Sequence, residues 1–308
     1  MASNCSDIVV VGSCMIDFVS YAPRLPLAGE TIHGKEFATN FGGKGANQCV
    51  AAAKLGGNTA LVAKVGNDVW GPKYIENLAQ SNVGTKHVKL TDNISTGIAQ
   101  IIVSDSGENQ IVIVAGANTK LGIQDVDDAQ ETISGSAVLV LQLETSQEVA
   151  IRAIQLCRGI SILNAAPAVS EYDPQLLRLP TIFCVNEPEA SIFTGLSVNN
   201  KSEAEKAALE LLKKGCNSVL ITLGAQGALY INNTDKQFHY APSPTVRCVD
   251  STGAGDAFIG ALAYLLATRT DLAVPKAVEL ACIAAADSVT RRGTQISFSG
   301  PSVFCESK

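Results

Sequence analysis

Aromatic residues are scarce, at 5% of 308 positions, with one tryptophan and two methionines, so the 46% hydrophobic content must build an aliphatic core. Such a core suits parallel strands buried under helices. Histidine is scarcer still: His33, His87 and His239 stand too far apart to suggest a metal site or a catalytic triad. Basic charge is also lacking, and a net charge of -6 with no basic stripe excludes a nucleic-acid backbone as partner. The nine cysteines are odd in number and form no C-x-x-C pair, which argues against both a zinc knuckle and a disulfide framework. They read as reduced, mostly buried small apolar residues. No basic, apolar leader opens the chain, and the run Ala257 to Ala267 is too short to span a bilayer. A protein without a membrane partner, located in the cytoplasm with nuclear presence left open, is the expectation.

Two familiar nucleotide signatures are missing as well. The loop Gly42-Gly43-Lys44-Gly45 is no Walker A loop, because Gly rather than Ser or Thr follows the lysine. The run Val11-Gly12-Ser13-Cys14-Met15 lacks the glycine spacing of a dinucleotide fingerprint. No internal repeat or low-complexity tract is present.

What is there begins with a rhythm. Short β-branched runs at Ile8 to Val11, Ala60 to Val65, Ala137 to Leu141, Ser161 to Leu163, Ile182 to Val185 and Ser218 to Leu223 read as buried strands. Helical patterns at Ala46 to Leu55, Tyr74 to Gln80, Gln147 to Cys157, Ser202 to Lys214, Ala254 to Ala267 and Lys276 to Arg291 separate them. The alternation predicts one α/β domain over residues 1–308: a doubly wound, mostly parallel central sheet flanked by helices. Residues 16–39 and 96–115 break the rhythm and read as strands without helices, among them a hairpin turning at Asp105 to Asn109. They predict a small inserted β-sheet that serves as a lid over a binding loop.

Two glycine-rich clusters carry most of the chemistry. In Asp250-Ser251-Thr252-Gly253-Ala254-Gly255-Asp256, bare backbone leads into a helix whose free N–H groups and positive dipole end suit a transferring phosphoryl group. Asp256 could then take the proton of an acceptor hydroxyl, since positioning and charge stabilisation supply most of the catalysis in such reactions. The same aspartate also fits an ordinary helix first turn. Lys44 at a helix start opposes the dipole, which points to a ligand, and Asn47 one turn on could share its pocket; three glycines could equally form a hinge.

Asp17, Glu144, and Asn186 with Glu189 each follow a strand on its carboxyl side, where open α/β sheets bind ligands. A carboxylate at Asp17 can grip vicinal hydroxyls of a sugar, or be a plain turn residue. Asn186 and Glu189 could hold Mg²⁺ through water or simply cap a helix. Thr222-Leu223-Gly224-Ala225-Gln226-Gly227 ends a strand in a sharp turn able to meet nucleotide phosphate or ribose, or merely to make a hairpin.

Taken together, Gly-Gly-Lys-Gly-Ala-Asn-Gln at 42–48, Asn-Glu-Pro-Glu-Ala at 186–190, Ile-Thr-Leu-Gly at 221–224 and Thr-Gly-Ala-Gly-Asp at 252–256 resemble the ribokinase-like family of sugar and nucleoside kinases. The resemblance runs in family order from about Ile8 to Ser297. It implies ATP-dependent phosphorylation of the O5 hydroxyl of D-ribose. Asp17, Gly43, Lys44, Asn47 and Glu144 would hold the sugar, with Met15 beside it, and Asp256 would be the base. The nucleotide would lie along Asn186, Thr222, Leu223, Gly224 and Gly227, its γ-phosphate over Gly253, Ala254 and Gly255. It further implies Mg²⁺ with the ATP, and a potassium-type site of Asp250 and Thr252 with backbone oxygens of Ser288, Arg291 and Gly293, plus Ser297. A homodimer formed through the β lid is also implied.

The chain departs from the bacterial pattern in two places. Met15 replaces an Asn next to the sugar, and Asn164-Ala165-Ala166-Pro167 replaces Asn-Pro-Ala-Pro. Losing that amide removes a hydrogen bond of about 0.5 to 1.5 kcal/mol, so sugar selectivity should loosen. Competing readings are a kinase for another small furanose or a nucleoside, a non-catalytic sugar-binding protein, and an NAD-linked oxidoreductase, which the missing fingerprint disfavours.

Overall fold

The computed structural model describes residues 6–305. Thirteen strands run in chain order: β1 Ile8–Val11, β2 Met15–Ala22, β3 Glu36–Gly42, β4 Thr59–Gly66, β5 Val83–Thr91, β6 Gly97–Ser104, β7 Asn109–Val114, β8 Val138–Leu141, β9 Ile160–Asn164, β10 Ile182–Asn186, β11 Ser218–Thr222, β12 Ala228–Asn232 and β13 His239–Ala241. Nine of them form one sheet in the order β13-β12-β11-β10-β9-β8-β1-β4-β5. Every pairing from β5 to β11 is parallel; β12 and β13 add antiparallel at one edge. The doubly wound, mostly parallel sheet expected from the alternation is present.

Strand β1 shows why the chain folds this way. All four of its residues are buried, and alternate side chains enter different cores: Ile8 and Val10 join one apolar cluster, Val9 and Val11 the other. Because side chains alternate across a strand, a run of four β-branched or aliphatic residues fills both faces of a covered sheet.

The breaks in rhythm form a second, four-stranded sheet in the order β3-β2-β6-β7. Its β6–β7 hairpin turns through Asp105 to Glu108, as the polar stretch predicts. Three strands escaped the sequence reading. Strand β5 mixes buried and wet positions without a regular alternation, and β12 and β13 are short antiparallel additions after a glycine turn. Helix ends differ too: the first helix is Lys44–Lys54, starting two residues before its apolar pattern, and the last long helix is Val274–Ser288.

After β1 the chain adds β4 and β5 on one side and later β8 on the other, so the winding direction changes between β1 and β8. A crevice opens at the carboxyl ends of strands at such a switch. Into it run the Lys44–Lys54 and Ala254–Thr268 helices, which pack against each other through Gly260. A Cβ at Gly260 would lie 2.5 Å from Ala51 Cβ and 2.7 Å from the Gln48 carbonyl oxygen, so only glycine allows this approach.

Candidate active site

The approach of these two helices builds the centre of the site. Asp256, in the first turn of the Ala254–Thr268 helix and buried, accepts a hydrogen bond on each oxygen: Asn47 Nδ2 donates to Oδ2 at 2.9 Å, and Gln48 Nε2 to Oδ1 at 2.9 Å. Both amides come from the first helix, which follows Gly43 at φ 90°, while the second helix follows Gly253 at φ 78°. Those backbone angles favour glycine, and each lets its chain turn abruptly from loop into helix.

Around Lys44 lies a ring of acids. Glu144 accepts from the Lys44 backbone N–H at 2.9 Å and from the Ser13 hydroxyl. Burial works against the charge of Lys44, but the carboxylates of Asp256, Glu144 and Glu189 outweigh it and hold the ammonium above its ordinary pKa. Asp17 lies so close over Gly42 that a Cβ there would be 2.2 Å from Asp17 Oδ2. Burial, then the charges of Glu144 and Asp256, push the Asp17 carboxyl up to about 7. Met15 precedes it on β2 at 3% exposure, registered between Gly42 and Gly97, and brings no hydrogen-bonding group to the pocket wall.

Beside Asp256 a cleft of about 140 Å³ is lined by Lys44, Asn164, Asn186, Glu189, Thr222 and the Gly253–Asp256 loop, among others. A second cavity of about 110 Å³ shares Thr222, Ala254 and Gly255 with it and continues past Gly224, Gly227, Ser243, Phe258 and Cys282. Asn186, Thr222, Gly224, Gly227 and Gly255 thus face one continuous groove. Leu223 does not, because its side chain is in the core and its amide closes the turn onto the Gly227 carbonyl at 2.8 Å. Ala254 N–H reaches the Ser251 carbonyl at 3.2 Å, whereas first-turn amides such as that of Gly255 have no acceptor within their own helix.

Asn186 and Glu189 form a complete capping box: Glu189 N–H donates to Asn186 Oδ1 at 2.8 Å, and Asn186 N–H to Glu189 Oε2 at 2.8 Å. Burial raises the Glu189 carboxyl, against the Asn186 amide bond and the charge of Lys44. Its second oxygen remains for the groove, which suits contact with a hydrated cation. Among the described residues no group of three or more His, Cys, Asp or Glu side chains could hold a metal ion unaided.

Among the expected potassium-type residues, Asp250, Thr252 and Gly293 are tied together by hydrogen bonds. Asp250 accepts from Thr252 N–H and from Gly293 N–H, both at 2.9 Å, and so ties the glycine loop to the C-terminal segment. Ser288 and Ser297 spend their hydroxyls on the carbonyls of Ala285 and Thr294, at 2.8 Å each, and the Arg291 guanidinium takes the Ser297 carbonyl at 2.7 Å.

Sequence reasoning passed over Ser13, Gln48 and Asn164, which touch Glu144 or Asp256 or their partners. A polar Asn47-Gln48 pair inside the otherwise apolar run Ala46 to Ala53 was the available signal. A larger cavity, about 620 Å³, lies elsewhere, between Ser20, Phe37, Gln100 and Ile102 on the face of the four-stranded sheet opposite Asp17. No buried acid and lysine converge there, so it is not the reaction centre.

An open α/β sheet with a buried carboxylate and a glycine-led helix start at its switch point defines a phosphoryl-transfer enzyme. The chain belongs to the pfkB family of carbohydrate kinases, whose model matches residues 6–300. It is 48% identical to mouse ribokinase over 94% of this chain and 91% of that one. It is also 39% identical to a Salmonella typhi deoxyribokinase, over 97% and 98%. Its fold superposes on Arabidopsis thaliana ribokinase complexed with ribose and ATP with a TM-score of 0.89 at 29% identity, covering 98% of each chain.

Proposed function

We propose that this chain transfers the γ-phosphoryl group of ATP to the O5 hydroxyl of D-ribose. The observation that carries the reading is the place of Asp256. It interacts with the charges of Lys44 and Asp17 and, with Lys44, lines a cleft that continues along Asn186, Thr222 and Gly224. A sugar held by Asp17, Gly43, Lys44, Asn47 and Glu144 would present its primary alcohol to Asp256, which accepts the proton as O5 bonds to the γ-phosphorus and ADP departs. The Gly253 and Gly255 amides and the helix dipole would take up charge on the transferring oxygens, with Lys44 close by.

Mg²⁺ would enter with the nucleotide, touching Glu189 through water, and would neutralise phosphate charge. A monovalent cation at Asp250, with carbonyls near Ser288 and Gly293, would add positive potential behind the glycine loop.

A second reading has its own support. Met15 offers no amide to a sugar hydroxyl, and one relative is named a deoxyribokinase. Turnover of ribose, 2-deoxyribose, fructose and nucleosides, each with ATP and with potassium or sodium, separates the two. We expect the highest kcat/KM with ribose and faster turnover in potassium; a better substrate than ribose overturns the assignment. Asp256→Asn should lower kcat by about 10² to 10⁴, and an undiminished rate removes Asp256 as base.

A further inference from the structure

Asp256 terminates two chains of side-chain amides. In one, Gln142 Nε2 donates to Gln48 Oε1 at 2.7 Å, and Gln48 Nε2 donates to Asp256 Oδ1 at 2.9 Å and to Asn164 Oδ1 at 3.0 Å. In the other, Asn77 Nδ2 donates to Gln295 Oε1 at 2.9 Å, Gln295 Nε2 to Asn47 Oδ1 at 3.0 Å, and Asn47 Nδ2 to Asp256 Oδ2 at 2.9 Å. Gln48, Gln295 and Asn47 each accept from behind and donate toward the carboxylate, so their dipoles add at Asp256, while the outermost Gln142 Oε1 has no partner among the described residues. Gln48, Gln142, Asn47 and Gln295 are all buried. Burying amides costs desolvation that their hydrogen bonds little more than offset, so their alignment on one acid points to a role in the reaction.

We infer that Gln48 and Gln295 are positioning residues for the phosphoryl transfer. Together the two chains fix the plane of the Asp256 carboxylate and leave a lone pair on each oxygen for the incoming hydroxyl. Gln48 acts directly. Gln295 acts through Asn47, whose amide it orients by occupying Oδ1. The charged groups facing Asp256 are Lys44, Asp17 and Glu189, with Glu144 beside Lys44; none of them bonds to Gln48 or Gln295.

The inference rests on the kinase reading, so the unmodified protein is assayed beside the variants Gln48→Met, Gln295→Met and Gln48→Glu. Gln48→Met should lower kcat about ten- to hundredfold, the worth of one hydrogen bond to a charged group, with KM for ribose and ATP within about twofold of the parent. Gln295→Met should lower kcat less. Gln48→Glu keeps the shape and the acceptor for Gln142 but sets a second carboxylate against Asp256, so the acidic limb of the kcat profile should move to higher pH. A folded Gln48→Met with parental kcat, or an unmoved limb in Gln48→Glu, overturns the positioning role. If Gln48→Met does not fold, the Gln48→Glu profile decides alone. A parent without sugar-dependent turnover overturns the kinase reading instead.

Discussion

Asp17 shows how much one side chain can cost the empty protein. Its carboxyl, raised to about 7 by burial and by Glu144 and Asp256, has no ion pair among the described residues to offset the charge it carries above that pH. An acid raised in the folded state binds protons that the unfolded chain has already released, so its contribution lowers stability as pH climbs from about 4 to about 7. Asp17→Asn removes that penalty. We expect the variant's melting temperature to exceed the parent's by more at pH 8 than at pH 5, with a gain bounded at about 4 kcal/mol, while ribose affinity falls. A difference that does not grow with pH would show that burial of this acid is not what limits stability.

At the scale of elements, the site depends on how closely two helices meet. Gly260→Val would push a branched side chain into Ala51 and the Gln48 carbonyl, spreading the helices and lengthening the bonds from Asn47 and Gln48 to Asp256. A loss of about 1 to 3 kcal/mol in stability is expected from overpacking, with a drop in kcat. Calorimetry and steady-state rates test both. Elements with a strong local code were readable in the sequence: β1 and β8 as unbroken apolar runs, the glycine loops as helix starts. Strand β5 was not, because it pairs on one side only, with β4, and mixes Lys, His and Thr with its apolar residues. The motif residues of the site were readable for the same local reason. Its amide chains were not, because each link joins glutamines and asparagines remote in sequence whose types announce no chemistry until folding brings them into line.

At the scale of the molecule, the four-stranded sheet leaves β7 as an edge strand, with Ile111, Val112, Ile113 and Val114 each at least half exposed. Bare apolar edges invite pairing with another chain. We expect a homodimer through this sheet, which light scattering would register as twice the 32.1 kDa chain. Val112→Lys should shift the species toward monomer and raise KM for ribose; a parent that stays monomeric at assay concentration ends that expectation. Asn47 and Asp256 stand 209 residues apart, and Asn47 and Gln295 248 apart. During synthesis the ribosome must therefore release the chain through residue 295 before the reaction centre can close. A nascent fragment holds the lysine loop without its acid, and competence waits on residues added more than two hundred positions later.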